Sequence, residues 1–247
     1  MLTAAVLVAV FFLASTLRAA VGFGDALVAM PLLTMAIGLQ LAAPVVAIVA
    51  LVTSAAILLR TWRHVSLAEA WPLIAGGAVG LPIGLVLLSR APESAMKIVL
   101  GVLIAAFGAA RPLLPALELR RGGLAPAGVA GFVGGILGGA YNMNGPPVVV
   151  YGALRRWPVD RFRATLQSYF LPSSAMIAAG HALAGLWSRD VLVYSAIAMP
   201  AMLAGIAFGR RLSRRLRPDR FELTISLLLI VLGTTLVAQT LLVDRPA

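Results

Sequence analysis

The chain reads as an all-α polytopic membrane protein of two inverted five-segment repeats, with broken or re-entrant helices meeting near the midplane. Three observations predict this. Of 247 residues, 61% are hydrophobic and only 12% charged, about half the roughly 25% charged share of soluble domains, and mean hydropathy is +0.98. The chain divides into apolar runs separated by short polar joints. The runs also form two matching sets.

The runs are 2–21, 26–37, 42–59, 70–89, 95–114, 124–140, 146–154, 164–187, 191–209 and 221–243. A helix needs about 20 apolar residues to cross a bilayer. Runs 26–37, 124–140 and 146–154 are too short or broken for a plain crossing. The first break is Gly22-Phe23-Gly24-Asp25, and the second spans Gly138 to Pro147. Glycine weakens a helix and proline lacks the N–H that an interior turn needs. Asn144 followed by Gly-Pro-Pro reads as a helix start, with a side-chain cap and proline in the first turn. Such breaks are tolerated in lipid where the backbone lines a cavity or is packed in protein. Trp62, Trp71, Trp157 and Trp187 lie at run ends and read as interfacial anchors.

The duplication is visible residue by residue. Gly101 to Gly108 matches Ser226 to Gly233, Gly80 and Gly84 fall on Gly205 and Gly209, and Thr53-Ser54-Ala55 falls on Ser173-Ser174-Ala175. Pro31 falls near Pro147, and the offset grows from 116 there to 125 at the glycine pairs. Residues 1–114 are read as the first transmembrane repeat, 115–123 as a cytoplasmic linker and 124–247 as the second repeat. The glycine pairs are small-x-x-x-small spacings that suit close helix packing.

Arginine orients the copies. Joint 38–41 has no charge, while its counterpart 155–163 has Arg155, Arg156, Arg161 and Arg163. Joint 90–97 has Arg90 and Lys97, while 210–220 has six arginines. Under the positive-inside rule, joints 60–69, 115–123, 155–163 and 210–220 are cytoplasmic and the copies inverted. Segments 1–37 and 124–154 then return to their starting sides as re-entrant or short-helix hairpins. Their tips, 22–25 and 139–145, meet near the midplane, a layout of secondary transporters.

Arg18 and Asp25 are the only charges in the first forty residues. A charge inside an apolar segment costs roughly 2.5–3.5 kcal/mol on insertion scales. One reading is a structural ion pair that stabilises the break. The other is a substrate site, with Arg18 for an anion and Asp25 for proton coupling or for orienting Arg18. The planar guanidinium suits oxyanions. Tyr141, Asn142 and Asn144 offer neutral donors at the second tip, unless they only cap, and N–H groups at two helix starts add positive field. The candidate substrate-binding residues are Arg18, Gly24, Asp25, Ser54, Tyr141, Asn142, Asn144, Gln167 and Ser174.

Other chemistries find less support. The net charge of +11 lies mostly in short loops, which the positive-inside rule explains without nucleic acid. There is no cysteine, hence no disulfide or thiolate metal site. His64 and His181, in or near expected loops and far apart, do not suggest a metal centre. No phosphate-loop motif is present, no cofactor is implied, and the N-terminus lacks the basic region of a signal peptide. Gly22-Phe23-Gly24-Asp25 fits the G-x-G-D pattern of intramembrane aspartyl proteases. That chemistry needs two carboxylates, and the remaining acids lie in joints or at run ends.

The stretches Gly22-Phe-Gly-Asp-Ala-Leu-Val-Ala-Met-Pro31 and Gly138-Gly-Ala-Tyr-Asn-Met-Asn-Gly-Pro-Pro147, each a Gly-rich break running into a proline-containing helix, resemble the sulfite exporter TauE/SafE family (TSUP). The resemblance covers nearly the whole chain. It implies a multi-pass permease of a bacterial or archaeal inner membrane for small sulfur-containing or carboxylate anions: sulfite, thiosulfate, or sulfonates such as sulfoacetate. Arg18 has no counterpart near 134 and Asp25 none near 141–144, so the copies contribute unequally. The expectation is a secondary transporter working by alternating access and not an enzyme. An anion channel is the alternative, separable by turnover rate, and a small-anion sensor is a further one. The partners expected are a small anion, the lipid bilayer, protons as a candidate coupling ion and a homodimer as a candidate assembly.

Overall fold

The computed structural model describes residues 2–61, 67–110, 112, 123–213 and 218–243. Among them are ten α-helices: α1 (Leu2–Val21), α2 (Asp25–Ile37), α3 (Leu39–Thr61), α4 (Leu67–Arg90), α5 (Glu93–Ala110), α6 (Leu124–Tyr141), α7 (Gly145–Leu154), α8 (Val159–Leu183), α9 (Arg189–Ser213) and α10 (Pro218–Val243). Seven of them (α1, α3, α4, α5, α6, α9 and α10) are long and apolar enough to cross a membrane. The protein is all-α and its apolar helices are those of a multi-pass membrane protein. Trp62, His64 and the linker residues 115–122 lie outside the described residues.

Three expectations change. Run 124–140 is neither short nor broken: α6 is one continuous helix of 18 residues, rising about 27 Å at 1.5 Å per residue. Each hairpin therefore has a span-length arm, α1 or α6, and a short one, α2 with 13 residues or α7 with 10. The glycines of α6 do not break it because they are packing positions. Joint 38–41 contracts to Gly38, whose φ of +80° turns the chain directly into α3. Glu93 Oε1 accepts from the Leu39 N–H at 3.0 Å and caps that start from a neighbouring helix. His181 lies inside α8, fully buried, and not in a loop.

The helices pair in a regular way. The first helix of each five packs against the fourth of the other (α1 on α9, α6 on α4), the third against the third (α3 on α8), and the fifth against the fifth (α5 on α10). Small residues permit close approach where lipid gives no hydrophobic drive for association. Gly76, Gly80 and Gly84 of α4 interleave with Gly131, Gly135 and Gly139 of α6. A Cβ added at Gly80 would fall on the Phe132 carbonyl, and one at Gly135 on the Gly77 carbonyl. On α9, Gly205 and Gly209 lie on the α1 carbonyls of Phe12 and Thr16. Val79, Leu203, Leu227 and Leu241 face outward, toward the lipid side. The pairing departs from regularity at the short arms. Helix α2 packs on α10 and α5, whereas an apolar groove of about 790 Å³ opens between α5, α6 and α7.

Candidate functional site

The first break is set by backbone. Gly22 and Gly24 both have φ of +101°, a conformation that L side chains rarely adopt. A Cβ at Gly22 would meet nothing within 4 Å, so glycine is needed there for its dihedral and not for space. The turn brings Asp25, first residue of α2, back to the end of α1. Arg18 Nη1 donates to Asp25 Oδ2 at 2.6 Å.

Arg18 is 2% exposed and held on three sides. Its Nη2 donates to Ser54 Oγ at 2.7 Å. Ser54 donates its own proton to the Ala50 carbonyl at 2.7 Å and lies 3.3 Å from Ser174 Oγ. A hydroxyl has one proton and two lone pairs, so Ser54 accepts from both Arg18 and Ser174. Ser54 and Ser174, matched in the sequence, thus meet behind the guanidinium. The Phe170 ring faces Arg18 Cζ at 4.8 Å from its centroid, a cation–π contact. Arg18 Nε is buried and has no hydrogen-bond partner.

The second break has a different build. Asn142 closes α6 with φ of +55°, its N–H donating to Gly138 O at 2.7 Å. The Met143 N–H donates to Leu137 O at 3.1 Å, and together these satisfy the last carbonyls in the manner of a left-handed cap. His181 Nε2 lies 3.0 Å from Gly139 O. A carbonyl only accepts, so Nε2 carries the proton and pins the same turn from α8. Asn144 stands at the N-cap of α7 with proline following, but its side chain makes no cap hydrogen bond. This corrects the expected side-chain cap. Pro146 and Pro147 have already removed two of the N–H groups a cap would serve, and Asn144 Nδ2 is left buried without a partner.

The two tips meet. Arg18, Gly24, Asp25, Asn142, Asn144 and Phe170 line one cavity, together with the first residues of α2 and α7. It is tight, about 10 Å³, room for about one water. Arg18 also lines a second and larger cavity, about 270 Å³, with Gly22, Ile57, Gln167, Arg210 and Ser213. We call it the vestibule.

Of the residues singled out from sequence, Arg18, Gly24, Asp25, Asn142 and Asn144 share the small cavity. Ser54 and Ser174 support Arg18 from behind, and Gln167 belongs to the vestibule, its Oε1 buried without a partner. Tyr141 stands apart. Its hydroxyl donates to Met96 O at 3.1 Å and ties α6 to α5. Phe170, Arg210 and the His181 contact went unnoticed in the sequence. Phe170 had a readable signal, since it lies four residues before Ser174 and so on the same helical face.

The profile of the family "Sulfite exporter TauE/SafE" matches residues 7–236. The chain is similar to the probable sulfite/organosulfonate exporter TauE of Cupriavidus necator, 29% identical over 225 residues that make up 87% of this chain and 86% of that one. No solved structure matches. With the family profile spanning both tips and all ten helices from Leu7 to Leu236, the chain belongs to the sulfite exporter TauE/SafE family of membrane transporters.

Proposed function

We propose that the protein is a secondary transporter that moves a small sulfur oxyanion or sulfonate out across a bacterial inner membrane by alternating access, with Arg18 as the anion ligand. One observation carries this. Two buried donors on opposite tips, Arg18 Nε and Asn144 Nδ2, have no hydrogen-bond partner, and both residues line the same cavity. An unmet buried donor costs about 1–3 kcal/mol, so the pair is best explained by an acceptor that arrives from outside the chain. The helix starts of α2 and α7 add positive field at the same spot. The repeats are inverted in this reading, and the arginine-rich end with Arg210 faces the cytoplasm.

Asp25 gives the site a means of coupling. Its carboxylate occupies one face of the guanidinium fork, and the cavity is too tight for an oxyanion beside it. An incoming anion therefore competes with Asp25 for Arg18. Protonation neutralises Asp25 and frees Nη1, so that anion and proton are bound together.

The test is thermal stability of the purified protein against sulfite, sulfate, thiosulfate, sulfoacetate, taurine, lactate and chloride. A ligand at 100 times its dissociation constant stabilises by about 2.7 kcal/mol. A shift confined to sulfur oxyanions or sulfonates supports the reading, and a flat panel at millimolar concentrations counts against it. Asp25→Asn is expected to keep the shift but to carry the anion without protons in liposomes. Proton movement that persists in Asp25→Asn would remove Asp25 from the coupling.

A further inference from the structure

We propose that Leu85, Leu81, Ile177 and Ala47 form the second gate of the transport path, an apolar plug in the place that the vestibule takes in the other half of the molecule. The inference rests on the transporter reading above. The matched positions define the place. Ser54 matches Ser174, which puts Ile57 on Ile177 and Ala47 on Gln167; Gly84 matches Gly209, which puts Leu85 on Arg210. Ile57, Gln167 and Arg210 all line the vestibule. Their counterparts Ile177 and Ala47, with Leu81 and Ala178, form a small hydrophobic cluster separate from the main core, and Leu85, Leu51 and Met176 pack against it.

Gly138 lies between the plug and Asn144 of the anion cavity. A Cβ added at Gly138 would meet Ile177 Cδ1 at 2.8 Å and Asn144 Cβ at 3.2 Å, and one at Gly180 would meet Leu85 Cδ1 at 2.8 Å. Where Arg210 and Gln167 leave a passage an anion can enter, Leu85 and Ala47 close a dry one. Apolar constrictions of this kind gate by excluding water.

A second observation points the same way. Helix α2 packs on α10 and α5, while its counterpart α7 leaves the 790 Å³ groove beside α5. The same five-helix unit thus takes two conformations in one molecule. When the halves exchange them, α7 moves into the groove, α2 leaves α10, and the plug parts.

The chain has no cysteine, so Leu85→Cys can be labelled alone. The experiment uses the full chain in oriented liposomes, a membrane-impermeant thiol reagent on the face opposite Arg210, and sulfoacetate as cargo, because sulfite itself consumes such reagents. Binding of sulfoacetate is measured first, so that its absence reports on the function and not on the gate. The expected result is slow labelling at rest that rises severalfold during turnover. The double variant Leu85→Ala/Ile177→Ala is expected to leak sulfoacetate from loaded liposomes without any gradient. Labelling of Leu85→Cys that never changes, in protein that binds sulfoacetate, overturns the gate, as does a double variant that stays tight and coupled.

Discussion

Arg18→Ala is expected to abolish sulfite binding, while Arg211→Ala, on the exposed side of α9, leaves it intact. Hydrogen bonds to charged groups are worth about 1.5–3 kcal/mol each. Losing two of them to an oxyanion lowers affinity by roughly 100-fold or more. Arg18 also holds Asp25, so the single substitution leaves a largely buried carboxylate unpaired, at a cost of about 3–5 kcal/mol. Binding and stability would fall together, and a purely structural ion pair would give the same picture. Arg18→Met/Asp25→Asn separates the two, because it removes both charges and keeps the volume. It is expected to unfold near the wild-type temperature and to show no sulfite-induced shift. A double variant that binds sulfite would reduce the pair to a brace for the break. Arg18→Lys is expected to fail as well, since an ammonium on a flexible stem does not reproduce the planar fork that reaches Asp25 and Ser54 together.

The largest effect on folding is expected at the contact of α4 with α6. Gly135→Val places side-chain carbon on the Gly77 carbonyl, where the obstacle is backbone and cannot rotate away. Overpacking a core costs typically 1–3 kcal/mol, occasionally more, and here relief requires two helices to part along their length. The expected result is little folded protein after purification, or a thermal midpoint lowered by many degrees. Gly128 on the same helix is the control, with nothing within 4 Å of an added Cβ. Gly128→Ala is expected to be neutral or slightly stabilising, because alanine favours helix over glycine by about 1 kcal/mol. Equal stability of both variants would show that the two helices are not held by this contact.

The elements were legible because lipid makes their signals long and redundant. Ten apolar runs became ten helices with ends shifted by a few residues. The breaks at Gly22 and at Asn142–Asn144 were marked by the residue types they need. Arg18 and Asp25 stood out because charge in an apolar run is costly. What stayed hidden depends on contacts between distant segments. The Tyr141 hydroxyl looked available from sequence, yet Met96, 45 residues away, takes it. His181 resembled a loop residue because its partner, the Gly139 carbonyl, is backbone and leaves no mark in side-chain identity. Gly138 and Gly139 made run 124–140 look broken, whereas α6 continues through them and Gly139, with Gly131 and Gly135, faces the α4 backbone.

The Arg18–Asp25 pair also has an electrical consequence. Together the two side chains carry no net charge, so in the proposed alternating-access cycle a return without cargo moves none through the membrane field. With a monoanion bound and Asp25 ionised, the site carries one negative charge. Each 100 mV then does about 2.3 kcal/mol of work on it, roughly a 50-fold bias, and in a cell negative inside that bias is outward. With Asp25 protonated, the same loaded site is neutral and the voltage has no hold on it. Under the proposed cycle, the current that accompanies each monoanion across a planar membrane therefore reports on the protonation of one carboxylate.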